Sequence, residues 1–468
     1  MGSTTFQIGY LVSILALALC GATHSQRAKT PDIGKLSRGL SPINPDLRTQ
    51  ETTIPLDERV FVATKIYALV RERFFYRSSL PNLDVSYKEY LRKVLATGDR
   101  RQFDFATMEF MASLQNGHTT FWDSWLGVMY GQGLGFYASP LDGKWVVRNS
   151  SLDDLKPGDI IASIDNVQVK DFFMQQQKYI SGSSEAAQEH NLFLLPHLFP
   201  EQFLLGLYGG RTVSVKRRSL TGHQESVAGR WLKEHEVAYV RIPTFFSPIF
   251  EENALAYVRQ FEQAKAIVID VRNNPGGIPP TRLIEALMNQ PYRGWKESTY
   301  IRIGSFDYEQ ATVTKGESNM LPDYSRGYID ALSSLGGSEI TWEPRLVLPN
   351  PTAYQGKVLL LVDGGCASAC EDFVEPFKDN HRALLIGETT EGTSGLPYFY
   401  DFGNGMSVRI AVKREYFPDG SEFEGVGIKP DVEVQTSIDD LRHGRDAVLE
   451  RALGLFHDPE ARVLHQPQ

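Results

Sequence analysis

Four short segments carry the residue types needed to open an acyl bond. The first is Asp363-Gly364-Gly365-Cys366-Ala367-Ser368-Ala369-Cys370-Glu371. It follows an apolar run and opens a helical pattern. A serine at such a turn presents its hydroxyl at a sheet edge, in front of first-turn amides that have no partner inside the helix. Those amides and the positive helix N-terminus favour a developing oxyanion. Ser368 is therefore a candidate nucleophile and the Ala369 N–H a candidate oxyanion donor, although serine is also a favoured helix cap. The second segment is Asp270-Val271-Arg272-Asn273-Asn274-Pro275-Gly276-Gly277. Paired glycines let the backbone approach a ligand and turn amides toward it. Gly276 or Gly277 is then the second donor, with an ordinary β-to-α turn as the plain alternative. The third is Asn116-Gly117-His118-Thr119, in which His118 is a candidate general base among ten histidines. The fourth runs from Glu422 through Phe423, Glu424, Gly425, Val426 and Gly427 to Asp431. One of its carboxylates would orient a histidine, the third role in a triad; a solvated loop would carry the same residues.

These segments need a scaffold that brings distant positions together. Ala266 to Val271 and Lys357 to Val362 are near-continuous apolar runs, as expected of strands buried on both faces. Val237 to Ile242 and Ala383 to Ile386 read as further strands, and Thr281 to Met288 as a helix. The pattern predicts an α/β core over 230–440, with an insertion at 300–350 and a hairpin around Met406 to Val412. Before it, Val60, Ala63, Ile66, Tyr67 and Val70 repeat at helical spacing, as do Tyr87 to Leu95 and Phe105 to Leu114. This predicts a helical domain over 55–125. Between the two, over 126–222, short β-like runs alternate with turns at Pro157-Gly158 and Asp165-Asn166. A tail is expected over 441–468.

Taken together and in this order, the four segments resemble the C-terminal processing peptidases and their tricorn-like and retinoid-binding relatives. DVRNNPGG is similar to that family's strand-end signature, and DGGCASACE to its nucleophile segment. The resemblance implies a crotonase-like (ClpP-like) α/β core, serine peptidase activity and Ser368 as nucleophile. The processing branch pairs its serine with a lysine twenty-five residues later, but Thr393 stands there, and there is no lysine between Lys378 and Lys413. The tricorn-like branch uses an earlier histidine and a later glutamate, which His118 and Glu424 match, with Glu422 as the other choice. A serine preceding the histidine in that branch is replaced by Gly117. The β-rich stretch resembles a PDZ-like module. Gly133, Leu134, Gly135 and Phe136 look like its carboxylate-binding loop, and Leu155 to Ile161 like its strand entry. A nest of amides beside a sheet edge suits a peptide C-terminus; a module kept for architecture, with its groove closed, is the other reading.

Composition sets the remaining expectations. The 468 residues are 42% apolar and 22% charged, which suits several cored domains. A net charge of −9 argues against nucleic acid as a partner. Tyr10 to Cys20 is an apolar run followed by Gly21, Ala22, Thr23, His24 and Ser25, which predicts a signal peptide over 1–25, without the usual basic start. A polar, Pro-rich linker follows over 26–54. The mature chain is expected to be exported, to lack an integral membrane segment, and to act on a protein or peptide. No metal or cofactor is called for. Of three cysteines, Cys366 and Cys370 would remain after signal removal, and an oxidising compartment would let them bridge. Two alternatives compete. One is a non-catalytic carrier of apolar ligands or peptides on the same fold. The other, an α/β-hydrolase esterase, lacks its Gly-x-Ser-x-Gly elbow here.

Overall fold

A computed structural model describes residues 52–76, 82–131, 133–218, 225–300 and 339–457. The expected signal peptide, most of the linker, much of the insertion and the end of the tail lie outside these residues. In chain order the elements are α1 (Leu56–Arg73), α2 (Leu83–Ala96), α3 (Arg100–Ala112), β1 (Thr120–Asp123) and α4 (Ser124–Tyr130). There follow β2 (Phe136–Leu141), β3 (Lys144–Ser150), β4 (Ile160–Ile164), β5 (Val167–Gln168), α5 (Val169–Gln176), α6 (Glu185–Asn191), β6 (Gln202–Leu207) and β7 (Thr212–Lys216). Next come β8 (Ala228–Lys233), β9 (Val237–Arg241), α7 (Pro248–Gln260), β10 (Ala266–Asp270), α8 (Thr281–Leu287), β11 (Lys296–Tyr300) and β12 (Glu339–Trp342). The chain closes with β13 (Lys357–Val362), α9 (Ala369–Asp379), β14 (Ala383–Gly387), β15 (Pro397–Asp401), β16 (Met406–Ala411), β17 (Lys413–Tyr416), β18 (Val432–Glu433), α10 (Ile438–His443) and α11 (Ala447–His457).

The apolar runs form the centre of a six-stranded sheet, ordered β18-β14-β13-β10-β9-β8. Its pairs are parallel except for β8 with β9. Every residue of β10 and β14 is buried, because both faces are covered. Ile267, Ile269, Leu360 and Val362 face one layer, with Phe250 of α7, Leu283 of α8 and Phe373 of α9. Val268, Leu359 and Leu361 face the other, with Val448, Ala452 and Leu455 of α11. Burying each such side chain contributes roughly 1.5–3 kcal/mol. The loops after β10, β13 and β14 all leave the carboxyl edge of this sheet, where sites of open parallel sheets form.

Helices α1 to α3 share a second core with β1 and β16. Asn82 and Asp99 cap α2 and α3 through their side chains. The tie to the sheet is β1, which pairs antiparallel with β16, Phe121 opposite Val408. The middle stretch builds a sheet of order β2-β3-β4-β6-β7 around Phe136, Phe193 and Phe203. It is less purely β than its turn pattern suggested, since α5 and α6 lie within it. Among the described residues no helix is long and apolar enough to cross a membrane.

Candidate active site

Ser368 sits between β13 and α9 with φ 55° and ψ −126°, a region that side chains other than glycine seldom occupy and that clusters at functional sites. Its backbone is held from two sides. The Ser368 N–H donates to Thr393 O at 2.9 Å and to Glu371 Oε2 at 3.2 Å. The Ala367 N–H donates to Asn274 O at 3.0 Å, which ties the Ser368 turn to the loop after β10. Glu371 is fully buried and also accepts from the Thr390 hydroxyl and from the N–H groups of Gly392 and Thr393. Burial pushes its carboxyl well above the usual range, against the pull of those donors. One carboxyl thus staples the loop after β14 beneath the serine.

His118 arrives from the connection between α3 and β1. Asn116 Oδ1 accepts from the His118 N–H at 3.0 Å and from the Thr119 hydroxyl at 2.9 Å. Arg409 of β16 donates to Gly117 O at 2.8 Å. The imidazole is 4% exposed, and its Nε2 lies 2.9 Å from Ser368 Oγ, across 250 positions of sequence. Burial, then the charges of Arg409 and Lys413, hold His118 well below 6.5. A neutral ring with a free lone pair on Nε2 is what a general base requires.

The other ring nitrogen pairs differently from expectation. His118 Nδ1 lies 3.0 Å from Thr393 Oγ1, and the hydrogen bonds of Glu424 go to other residues. Glu424 instead accepts from the Ser183 hydroxyl, from Asn116 Nδ2 at 2.8 Å and from the Ser394 N–H at 3.4 Å. Ser183 closes the gap: its hydroxyl is 3.4 Å from Thr393 Oγ1 and accepts from the Gly117 N–H at 2.9 Å. The Ser183 hydroxyl thus lies between the Glu424 carboxyl and Thr393, and Thr393 in turn meets His118 Nδ1, so the carboxyl is linked to the ring only through two hydroxyls. Burial pushes Glu424 up to about 7, against the pull of Ser183 and Ser394. Glu422, the other choice, is exposed and paired with Arg414.

Gly117 explains part of this arrangement. A Cβ at that position would meet Thr393 Oγ1 at 2.5 Å and Ser183 Oγ at 3.4 Å. The hydroxyls that flank His118 therefore come from the loop after β14 and from the middle unit, into space a side chain at 117 would fill. Thr393 and Ser183 carried no local signal of this role, except that Thr393 stands where the processing branch has its lysine.

The oxyanion candidates separate. The Gly276 N–H donates to Asn274 Oδ1 at 2.9 Å and is engaged. Gly277 makes a parallel bridge with Phe245 through the groups of its neighbours, Gly276 O and the Ile278 N–H. Among the described residues, neither the Gly277 N–H nor the Ala369 N–H has an acceptor. Gly276 packs so closely on the serine that a Cβ there would meet Ser368 Cβ at 2.8 Å.

The carboxylate-loop expectation for Gly133 to Phe136 meets an obstacle. The Gly133 N–H donates to Arg218 O at 3.1 Å, Gly133 O accepts from the Arg218 N–H, and the Arg218 guanidinium lies against Gly135. Leu134 and Phe136 are core residues of the middle unit. Residues just beyond β7 close the sheet on the segment before β2, so the loop presents no open nest. The cause is a long-range pairing that the local Gly-Leu-Gly-Phe pattern does not reveal.

The stretch 236–434 matches the family model described as Peptidase family S41. Residues 236–434 are a Peptidase family S41 domain. A chloroplastic C-terminal processing peptidase of Tetradesmus obliquus is 27% identical over 206 residues, 44% of this chain and 36% of that protein. Carboxyl-terminal-processing peptidase 2, chloroplastic, of Arabidopsis thaliana is 27% identical over 283 residues, 59% of this chain and 45% of that one. The matches thus span less than half the length of these relatives. Mature CPAF, solved in complex with lactacystin, shares the fold with a TM-score of 0.64 at 16% identity, over 86% of this chain and 98% of its own. Ser368 and Glu424 lie inside the S41 domain, whereas His118 and Ser183 come from outside it.

Proposed function

We propose that this chain is a serine peptidase that cleaves a protein or peptide substrate through an acyl-enzyme on Ser368. The observation that carries this reading is the 2.9 Å contact of Ser368 Oγ with His118 Nε2. Ser368 Oγ attacks the carbonyl carbon while His118 takes its proton, and the imidazolium then protonates the leaving amine. As the ring becomes charged, Nδ1–H donates to Thr393, and Ser183 passes the polarisation to Glu424. Glu424 is in this reading a tricorn-like orienter that acts through two hydroxyls. The Ala369 and Gly277 N–H groups bind the oxyanion, each worth roughly 3 kcal/mol of barrier.

The crotonase-like core carries the nucleophile, and the PDZ-like unit contributes Ser183 rather than an open carboxylate nest. An exported location fits the bridged Cys366 and Cys370. One observation favours a second reading, a carrier of apolar ligands: a pocket is lined by β1 and by Met108, Leu126, Phe399 and Val408, although His197 and Arg409 line it too. Hydrolysis of an unfolded protein by wild type and Ser368→Ala separates the two. Serine-dependent cleavage supports the peptidase. Ligand binding without cleavage supports the carrier.

A further inference from the structure

The residues on either side of the nucleophile are joined. Cys366 and Cys370 form a disulfide, with Cα atoms 5.4 Å apart and a sequence separation of 4. Both are fully buried. The bridge closes a ring whose middle residue is Ser368, the one with left-handed φ. On the sheet side the ring is anchored repeatedly. The Cys366 N–H donates to Asp363 O, Cys366 O accepts from the Glu391 N–H, and the Ala367 N–H reaches Asn274. On the helix side, the Cys370 N–H donates back to Ala367 O at 3.0 Å. The first turn of α9 is also held by the Glu371 carboxyl, which bonds the loop after β14 and the Ser368 N–H; loss of the bridge leaves those hydrogen bonds alone to hold Ser368. Relaxation of its φ toward the ordinary helical region turns Oγ away from His118 Nε2 and re-aims the Ala369 N–H.

We infer that the Cys366–Cys370 disulfide is a positioning element for Ser368, a covalent ring that holds the nucleophile's backbone and the Ala369 amide in working geometry. This rests on the reading of Ser368 as nucleophile. Disulfide stabilisation against unfolding grows with the size of the closed loop, and this loop is among the shortest. The bridge therefore governs the site more than the fold. Opening it with dithiothreitol is a two-electron step: the dithiol supplies two electrons and its two thiol protons, each protein sulfur ends as a thiol, and the dithiol closes to its cyclic disulfide.

The test is the rate of Ser368 labelling by a fluorophosphonate, with cleavage of an unfolded protein alongside. It uses the oxidised chain, the Cys366→Ala/Cys370→Ala variant, and the chain reduced by dithiothreitol until both thiols can be alkylated. Oxidised wild type should label and Ser368→Ala should not; failure of that pair overturns the peptidase reading itself. Given that pair, the double variant and the reduced chain should label and turn over about 10- to 100-fold more slowly, the scale expected of a misplaced catalytic group. KM should stay within about twofold and the thermal midpoint close to wild type, since the ring is short. Reoxidation should restore the rate. Equal labelling by the oxidised and the fully reduced chain would overturn the inference, and the reduced chain decides even if the double variant does not fold.

Discussion

Replacing Thr393 by valine removes one hydroxyl and keeps the β-branched shape. The site is 4% exposed, so water cannot readily take the hydroxyl's place. His118 Nδ1 then loses the acceptor that lies at 3.0 Å. In the resting enzyme the loss is a neutral hydrogen bond. In the transition state the ring is an imidazolium, and a hydrogen bond from a charged group is worth about 1.5–3 kcal/mol. Only the difference between the charged and the neutral bond, about 1–1.5 kcal/mol, bears on kcat, which at 1.36 kcal/mol per factor of ten should fall about 5- to 15-fold. KM should change little, because Thr393 faces the base rather than the substrate. Thr393→Ser keeps an acceptor and should stay within about threefold of wild type, the spread allowed by a few tenths of a kcal/mol. Steady-state hydrolysis of a peptide library with a fluorogenic leaving group, alongside fluorophosphonate labelling, reads both numbers. A Thr393→Val enzyme with wild-type kcat would refute the reasoning, because Nδ1 would then have another partner during turnover.

The other expectations are shorter. His118 is held well below 6.5 by burial, so its base form persists at neutral pH and the acid limb of kcat/KM should lie below pH 6.5. Glu424 is pushed up to about 7; its ionisation stabilises the imidazolium, so the rate should rise again through about pH 7, and Glu424→Gln should abolish that inflection in the pH profile. Gly276→Ala puts a Cβ 2.5 Å from Ala367 O on a backbone with φ 87°, and labelling of Ser368 should fall about 100-fold as the serine is displaced. Arg100 and Asp123 form a buried pair, 5% and 0% exposed, that anchors α3 to the start of α4. Arg100→Met leaves an unpaired buried carboxylate and should cost about 3–5 kcal/mol in denaturant unfolding; a loss under about 1 kcal/mol would mean that the pair is relaxed or wet.

What could be read from the residues follows how locally each feature is encoded. Ala266 to Val271 and Lys357 to Val362 are strands because both faces are buried, and an apolar run records that directly. The turns at their ends are adjacent in sequence, so Ser368 and the Gly276-Gly277 pair stand out beside them. His118 is brought to the serine by pairing of β1 with β16, which no local pattern announces; only the similarity of the whole set singled it out. Thr393 and Ser183 are still less legible, since hydroxyl residues are common and their contacts span 275 and 241 positions. The choice between Glu424 and Glu422 depended on those same contacts. The middle stretch misled in another way. Val169, Phe172 and Phe173 carry a helical spacing that belongs to α5, but the flanking turns drew attention to strands. Closure of its sheet through Arg218 could not be read at all.

The central claim is that Ser368, activated by His118, is acylated. Intact-mass and peptide-level analysis after fluorophosphonate treatment tests it directly in wild type, Ser368→Ala and His118→Ala. The account predicts one adduct on Ser368 in wild type, none in Ser368→Ala, and slow labelling in His118→Ala, with proteolysis of an unfolded substrate following the same order. Proteolysis that persists in Ser368→Ala, or an adduct on another serine, would contradict it.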